Sequence, residues 1–362
     1  MDETLSMHAR ELDGELLNRW QQRFPLQRRP LAALAEALGL ADSHGAGEAQ
    51  VLARLRLLQQ RGSLSRIGGI WAPGAAGSAL LCAMAVPADR LEPVAAQVNA
   101  MAGVNHNYER EHVYNLWFVL TGPDPQSLAA ELDALERQCG LATLRLPMER
   151  AYRINLGFDL RHPQRPDCPS RMGEAAADGS LNVALSPEER GLAACVEQGL
   201  PLLDRPYQAW ARQLGWSEGG DEDKPGGGGE ARVIATLQRW LERGSLRRFG
   251  LIVRHHELGF GANAMCVFDV PDALVDGHAA LLARQPGVTL CYRRSRAAGW
   301  PYNLFCMLHG RERAEVRQWL AQAVAAAGLG GFAQEQLFSS RRFKQCGPRY
   351  VRGVNSSEAA HA

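Results

Sequence analysis

The sequence predicts an α+β protein made by tandem duplication, each copy a winged helix-turn-helix domain followed by a βαββαβ domain. Three observations predict it. The run VLARLRLLQQRGSLSRIGGIW, opening at Val51, returns as VIATLQRWLERGSLRRFGLIV at Val233, 182 positions later. The run GVNHNYEREHVYNLWFVL, opening at Gly103, returns as GVTLCYRRSRAAGWPYNLFCML at Gly287, 184 positions later. Within each copy the apolar spacing passes from a helical to a strand period in the same order. Two long matches at nearly one offset mark a duplication.

In the first copy, helical spacing covers Leu12 to Phe24, Leu31 to Leu38 and Glu48 to Arg61. The third helix runs into Arg-Gly-Ser-Leu, where Gly62 supplies a left-handed stop at low cost. Leu64 to Trp71 follows as a wing strand. A strand (Ala79 to Val86), a helix (Ala88 to Met101), a strand pair (Val104 to Thr121), a helix (Gln126 to Cys139) and a strand (Leu141 to Arg153) complete it. That order is the ferredoxin-like split βαβ unit, and the second copy repeats it from Pro187 to Tyr350. Arg161 to Asn182, rich in Pro, Gly and Ser, reads as a linker, and residues 218–230, with DEDK and GGGG, as a loose insertion. The predicted domains are therefore winged helix 1–72, α/β 73–160, linker 161–182, winged helix 183–255, α/β 256–352 and a flexible tail 353–362.

Composition narrows the function. A length of 362 residues exceeds one ordinary core, and 46% hydrophobic residues is globular. With 40 Lys and Arg against 39 Asp and Glu, bulk charge attracts neither nucleic acid nor membrane. The charged start has no apolar h-region, and no apolar run reaches the about 18 residues of a membrane span. A cytoplasmic protein is expected. The eight cysteines form no CxxC pair and read as reduced packing residues rather than a metal site.

The segment HNYEREHVYNLWFV carries the chemistry. Alternation along a strand puts His106, Tyr108, Arg110 and His112 on one face. Leu290, Tyr292, Arg294 and Arg296 occupy that face in the second copy. The Tyr-x-Arg pair recurs, as a clamp for an anion: a guanidinium presents a planar fork that fits carboxylate. The histidines do not recur, and are candidates for proton donation or iron ligation. Tyr114, Asn115 and Trp117 follow in copy one; Tyr302 and Asn303 answer the first two in copy two, where an insertion of four residues adds Trp300. These aromatics can line a flat ligand or fill a core. Arg254, His255 and His256 lie after the second wing, and Arg341, Arg342 and Lys344 near the end, as either further contacts or solvated surface.

Three helices, a wing and a βαββαβ domain resemble the Lrp/AsnC regulators, whose third helix enters the major groove. Arg54 and Arg56 are the candidate contacts there, while Asp221, Glu222 and Asp223 just before the other third helix oppose phosphate. No specific nucleic-acid binding is expected. HNYEREHVYNLWFV, WPYNLFCMLHG, RHHELGFGANAM and FSSRRFKQ resemble the paired motifs of siroheme decarboxylases, here fused in one chain. The resemblance implies loss of carbon dioxide from two acetates of siroheme in haem d1 biosynthesis. It implies His106, His112 and Tyr108 as catalytic residues. Arg110, Tyr114, Asn115, Trp117, His256, Tyr292, Arg294, Arg296, Trp300, Tyr302 and Asn303 are then implied to bind substrate. It implies no cofactor beyond the iron tetrapyrrole, no metal held by protein alone, two halves packed as a pseudo-heterodimer, and possible further copies or related subunits. Two positions depart from that family: Leu290, where second subunits often carry His, and the ending Cys346 to Tyr350. A small-molecule-sensing regulator and a non-catalytic tetrapyrrole carrier are the competing readings.

Overall fold

The computed structural model describes residues 2–40, 44–154, 185–216, 228–254 and 261–351. The linker, most of the loose insertion, the tail and the pair His255 and His256 lie outside the described residues. The first copy runs α1 (Asp2–Arg19), α2 (Pro30–Ala37), α3 (Ala46–Gln60), β1 (Leu64–Trp71), β2 (Ser78–Met84), α4 (Leu91–Ala100), β3 (Val104–Arg110), β4 (Leu116–Gly122), α5 (Pro125–Cys139) and β5 (Thr143–Ile154). The second runs α6 (Pro187–Gln198), α7 (Pro206–Gln213), α8 (Gly229–Glu242), β6 (Leu246–Val253), β7 (Ala262–Phe268), α9 (Val275–Leu282), β8 (Val288–Arg294), β9 (Leu304–Gly310), α10 (Arg313–Ala326) and β10 (Gln334–Gln345). The α+β duplication predicted from the sequence is present. Like domains of the two copies associate, giving one unit around Met1–Ala76 and Val183–Leu258 and another around Gly77–Asn182 and Gly259–Tyr350.

In the helical unit, β1 is not the wing of an isolated domain. It pairs antiparallel with β6, with Gly68 opposite Gly250. The first helix also stops earlier than its apolar spacing suggests. Trp20 to Phe24 leave the helix and run along β6: Leu251 N–H donates to Trp20 O at 2.8 Å and Phe24 N–H to Phe249 O at 3.1 Å. Any Cβ at residue 250 would lie 2.4 Å from the Trp20 and Gln21 carbonyl oxygens, so this approach requires Gly250. Glu48 opens α3 and is buried against Arg29; Glu230 opens α8 and is buried against Arg205. Both acids sit at the positive end of a helix, where a carboxylate is favoured. Arg54 bonds Asp13 with Nε at 2.8 Å, and Arg56 donates to Leu202 O at 3.0 Å. The two candidate DNA contacts are thus engaged within the protein.

In the other unit, each copy forms a four-stranded antiparallel sheet, in the order β3-β4-β2-β5 and β8-β9-β7-β10. The long last strands join the sheets: β10 pairs with β3 and β5 with β8, closing an eight-stranded barrel. Helices cover the outside of each sheet over apolar cores such as Val98, Phe118 and Leu132, or Phe268, Leu282 and Leu320. Equivalent basic residues tie strand to helix end: Arg153 donates to Ala283 O at 2.8 Å and Lys344 to Asn99 O at 2.7 Å. A cation at a helix C-terminus meets the negative end of its dipole. A third apolar cluster, with Trp117, Leu146, Trp300, Phe305 and Leu337, lies on the inner face of the barrel. Among the described residues seven cysteines are free thiols, six of them buried, and no helix is long and apolar enough to cross a membrane.

Candidate active site

Strand alternation and register assign the interior residues. Tyr108 lies opposite Trp117, and Tyr292 opposite Phe305, so both tyrosines share the face of the interior cluster. Asn107 points the other way and donates to Ala95 O on α4. Arg110 and Arg294 follow their tyrosines on the inner face. Each reaches across to the other copy's last strand: Arg110 Nη1 donates to Leu337 O at 2.8 Å, and Arg294 Nη1 to Leu146 O at 2.8 Å. Each guanidinium also stacks on its own tyrosine, 5.7 Å from Tyr108 and 5.3 Å from Tyr292. Among the described residues neither has a carboxylate partner, and both Nε atoms are buried without an acceptor. Burial pushes both guanidinium pKa values down to about 10. Two desolvated cations without counter-ions are costly unless an anion completes them.

Trp300 occupies the centre. Its ring meets His112, Tyr114 and Trp117 of copy one, and Tyr302 and Phe305 of copy two, with centroids 5.0–6.4 Å apart. The inserted residues make this placement possible. Ala297 and Trp300 exchange backbone hydrogen bonds around Gly299, whose φ of 73° favours glycine. The Trp300 indole Nε1 is buried without a partner.

The histidines differ. His112 lies just beyond β3. Its Nδ1 accepts from Tyr114 N–H at 2.9 Å, so the neutral ring carries its proton on Nε2, which faces Glu335 Oε2 at 2.8 Å. The other Glu335 oxygen accepts from the Tyr302 hydroxyl at 2.9 Å. Burial, and then this carboxylate, raise the Tyr302 pKa to about 12. His106 lies 6.2 Å from the Tyr108 ring, stacked, with Nδ1 3.0 Å from Asn105 Oδ1. Donation from Nδ1 there leaves Nε2 as the nitrogen with the lone pair. Burial pushes the Tyr108 phenol up and that of Tyr292 to about 12, so both stay protonated donors.

Three residues expected to bind substrate have other partners. Asn115 brackets the Val86 backbone, accepting from its N–H and donating to its C=O, both at 2.9 Å. Asn303 does the same to Val270, at 3.0 and 2.9 Å. Their amides are spent on holding the β2 and β7 ends. Arg296 is engaged likewise: its guanidinium serves Asp269, Asp272 and the Val270 and Pro301 carbonyls. These acids could not be aligned to it from strand alternation. His256 falls outside the described residues. Sequence reasoning missed Glu335, whose only signal is a lone acid two residues before Leu337 in a strand.

A duplicated α/β barrel with two interior guanidinium groups that lack carboxylate partners among the described residues, in a chain that also carries helix-turn-helix domains, defines a protein of the AsnC-like class. The model of the AsnC-like ligand binding domain matches residues 75–153 and 257–344, and that of the siroheme decarboxylase NirDL-like HTH domain matches 13–64. The siroheme decarboxylase NirDL subunit of Paracoccus denitrificans (strain Pd 1222) is 41% identical over 338 residues, covering 93% of this chain and 96% of the relative. The crystal structure of the siroheme decarboxylase NirDL superposes with TM-score 0.65 at 26% identity, covering 95% and 94% of the two chains. A second structure of NirDL, in complex with an iron-uroporphyrin III analogue, matches with the same TM-score of 0.65 and 26% identity, covering 95% of each chain. The chain belongs to the siroheme decarboxylase family.

Proposed function

We propose that this chain, a carboxy-lyase, removes carbon dioxide from two acetate side chains of siroheme to give didecarboxysiroheme, in haem d1 biosynthesis. The observation that carries the reading is the pair Arg110 and Arg294, desolvated and without carboxylate partners in an aromatic-lined barrel. A flat polycarboxylate supplies the missing anions. Each cycle breaks the bond between an acetate methylene and its carboxylate. The electron pair passes into the macrocycle, carbon dioxide leaves, and the methylene takes a proton to become methyl. The macrocycle serves as its own electron sink, so no added cofactor is required.

In this reading the guanidiniums and tyrosines hold the retained carboxylates. His112, Tyr108 and Tyr302 are the candidate proton donors, and His106, stacked beside Tyr108, is the candidate iron ligand. The halves act as a pseudo-heterodimer in the cytoplasm. The internal engagement of Arg54 and Arg56 favours the enzyme over a DNA-reading regulator. The test is anaerobic incubation of the purified chain with siroheme, followed by mass spectrometry. Loss of two carbon dioxide units is expected; intact siroheme after binding would leave a carrier.

A further inference from the structure

The two seams that join the copies match in backbone register and differ in chemistry. In the β3–β10 seam, Tyr108 lies opposite Arg342 and His106 opposite Gln345. In the β5–β8 seam, Tyr292 lies opposite Ala151 and Leu290 opposite Ile154. Both last strands shift register at the equivalent place, between Arg342 and Lys344 and between Ala151 and Arg153. The shift returns residues three apart to one face, and Arg342 Nη1 indeed donates to Gln345 Oε1 at 3.0 Å. The tyrosine is common to both seams. Around it His stands against Leu, Arg against Ala, and Gln against Ile.

The other two basic residues of this stretch lie opposite Glu109 and Asn107, on the face away from Tyr108. Arg341 pairs with Glu92 and Glu109, and Lys344 caps α4 at Asn99 O. Arg342 is the member of that cluster on the Tyr108 face, exposed and close enough for its charge to oppose the effect of burial on the phenol.

We infer that Arg342, supported by Gln345, is a carboxylate subsite that fixes which way round the macrocycle binds. This rests on the proposed function. Arg110 and Arg294 are near-equivalent, so a flat polycarboxylate meets similar clamps in either of two orientations. One further cation at the β3–β10 seam, facing an apolar seam, removes that degeneracy by holding a retained carboxylate.

The test is anaerobic absorbance titration with siroheme of wild type, Arg342→Ala and Arg342→Lys, with the position of the first acetate lost read by fragmentation of the mono-decarboxylated product. Arg342→Ala is expected to weaken binding about ten- to a hundredfold, the scale of one charge-assisted hydrogen bond, and to give both mono-decarboxylated isomers. Arg342→Lys restores part of the affinity and the single isomer. Ala151→Arg, which places a matching cation at the other seam, is expected to mix the isomers with tight binding kept. Wild-type affinity and a single unchanged isomer from Arg342→Ala would overturn the subsite while leaving the proposed function intact. Wild-type protein that binds no siroheme would remove both.

Discussion

Glu335 Oε2 lies 2.8 Å from His112 Nε2, joining a strand of the second copy to a histidine of the first. The same carboxylate holds the Tyr302 hydroxyl at 2.9 Å. A carboxylate behind an imidazole fixes its tautomer and orientation. His112→Ala is therefore expected to lower turnover by about 10²–10⁴-fold, the range for a general acid, with little change in siroheme Kd. Glu335→Gln keeps a hydrogen-bonding group without the charge, and should give a smaller loss in the same direction. Single-turnover product analysis checks both. His112→Ala running both steps at the wild-type rate places the donor elsewhere.

Arg110→Leu and Arg294→Leu should each weaken siroheme binding by about 1.5–3 kcal/mol, the usual worth of a hydrogen bond to a charged group. Each also removes a strand-to-strand bond across the copies, so thermal unfolding must be measured alongside the absorbance titration. Unchanged affinity in either variant takes that arginine out of the site.

Affinity should depend on alkaline pH. Burial pushes both interior guanidinium pKa values down to about 10. A guanidinium attracts carboxylate only while protonated, so affinity holds near neutrality and falls as pH rises through about 10. The depressed pKa also means the folded chain holds these protons less tightly than the unfolded chain. Their burial therefore opposes folding at neutral pH, and that opposition fades at alkaline pH. Titrations with siroheme between neutral pH and the onset of unfolding test this; a flat profile would require an anion that already compensates both charges.

Asn115→Ala and Asn303→Ala should act on stability rather than on ligand affinity. Each removes the two hydrogen bonds that hold one backbone residue, Val86 or Val270, and Asn303→Ala also removes one to Asp272, at a cost of about 1–3 kcal/mol. Chemical denaturation of each variant measures this. A selective loss of siroheme binding without loss of stability would return these amides to the substrate.

Binding to DNA should be weak and indifferent to sequence. Arg54→Ala is expected to lower stability, because it leaves the part-buried Asp13 without its partner. An electrophoretic shift assay showing a nanomolar, competitor-resistant complex at physiological salt would contradict this.

The duplication, the element order and the Tyr-x-Arg face are legible in the chain of residues alone. Each of these is written locally: in a repeated run of residues, in an apolar period, and in the two-residue alternation of a strand. The sequence also places Trp300 in an insertion peculiar to one copy. What those side chains meet follows from the way the copies pair. Strand pairing between copies turned the expected wings into one β1–β6 ladder and made Leu337 and Leu146 acceptors for the partner copy's arginine. Glu335 reached His112, Arg342 came opposite Tyr108, and Arg296 and the two asparagines were drawn into local scaffolding. Such pairings join positions far apart in the chain, and their geometry depends on register shifts and barrel closure, which no local period encodes.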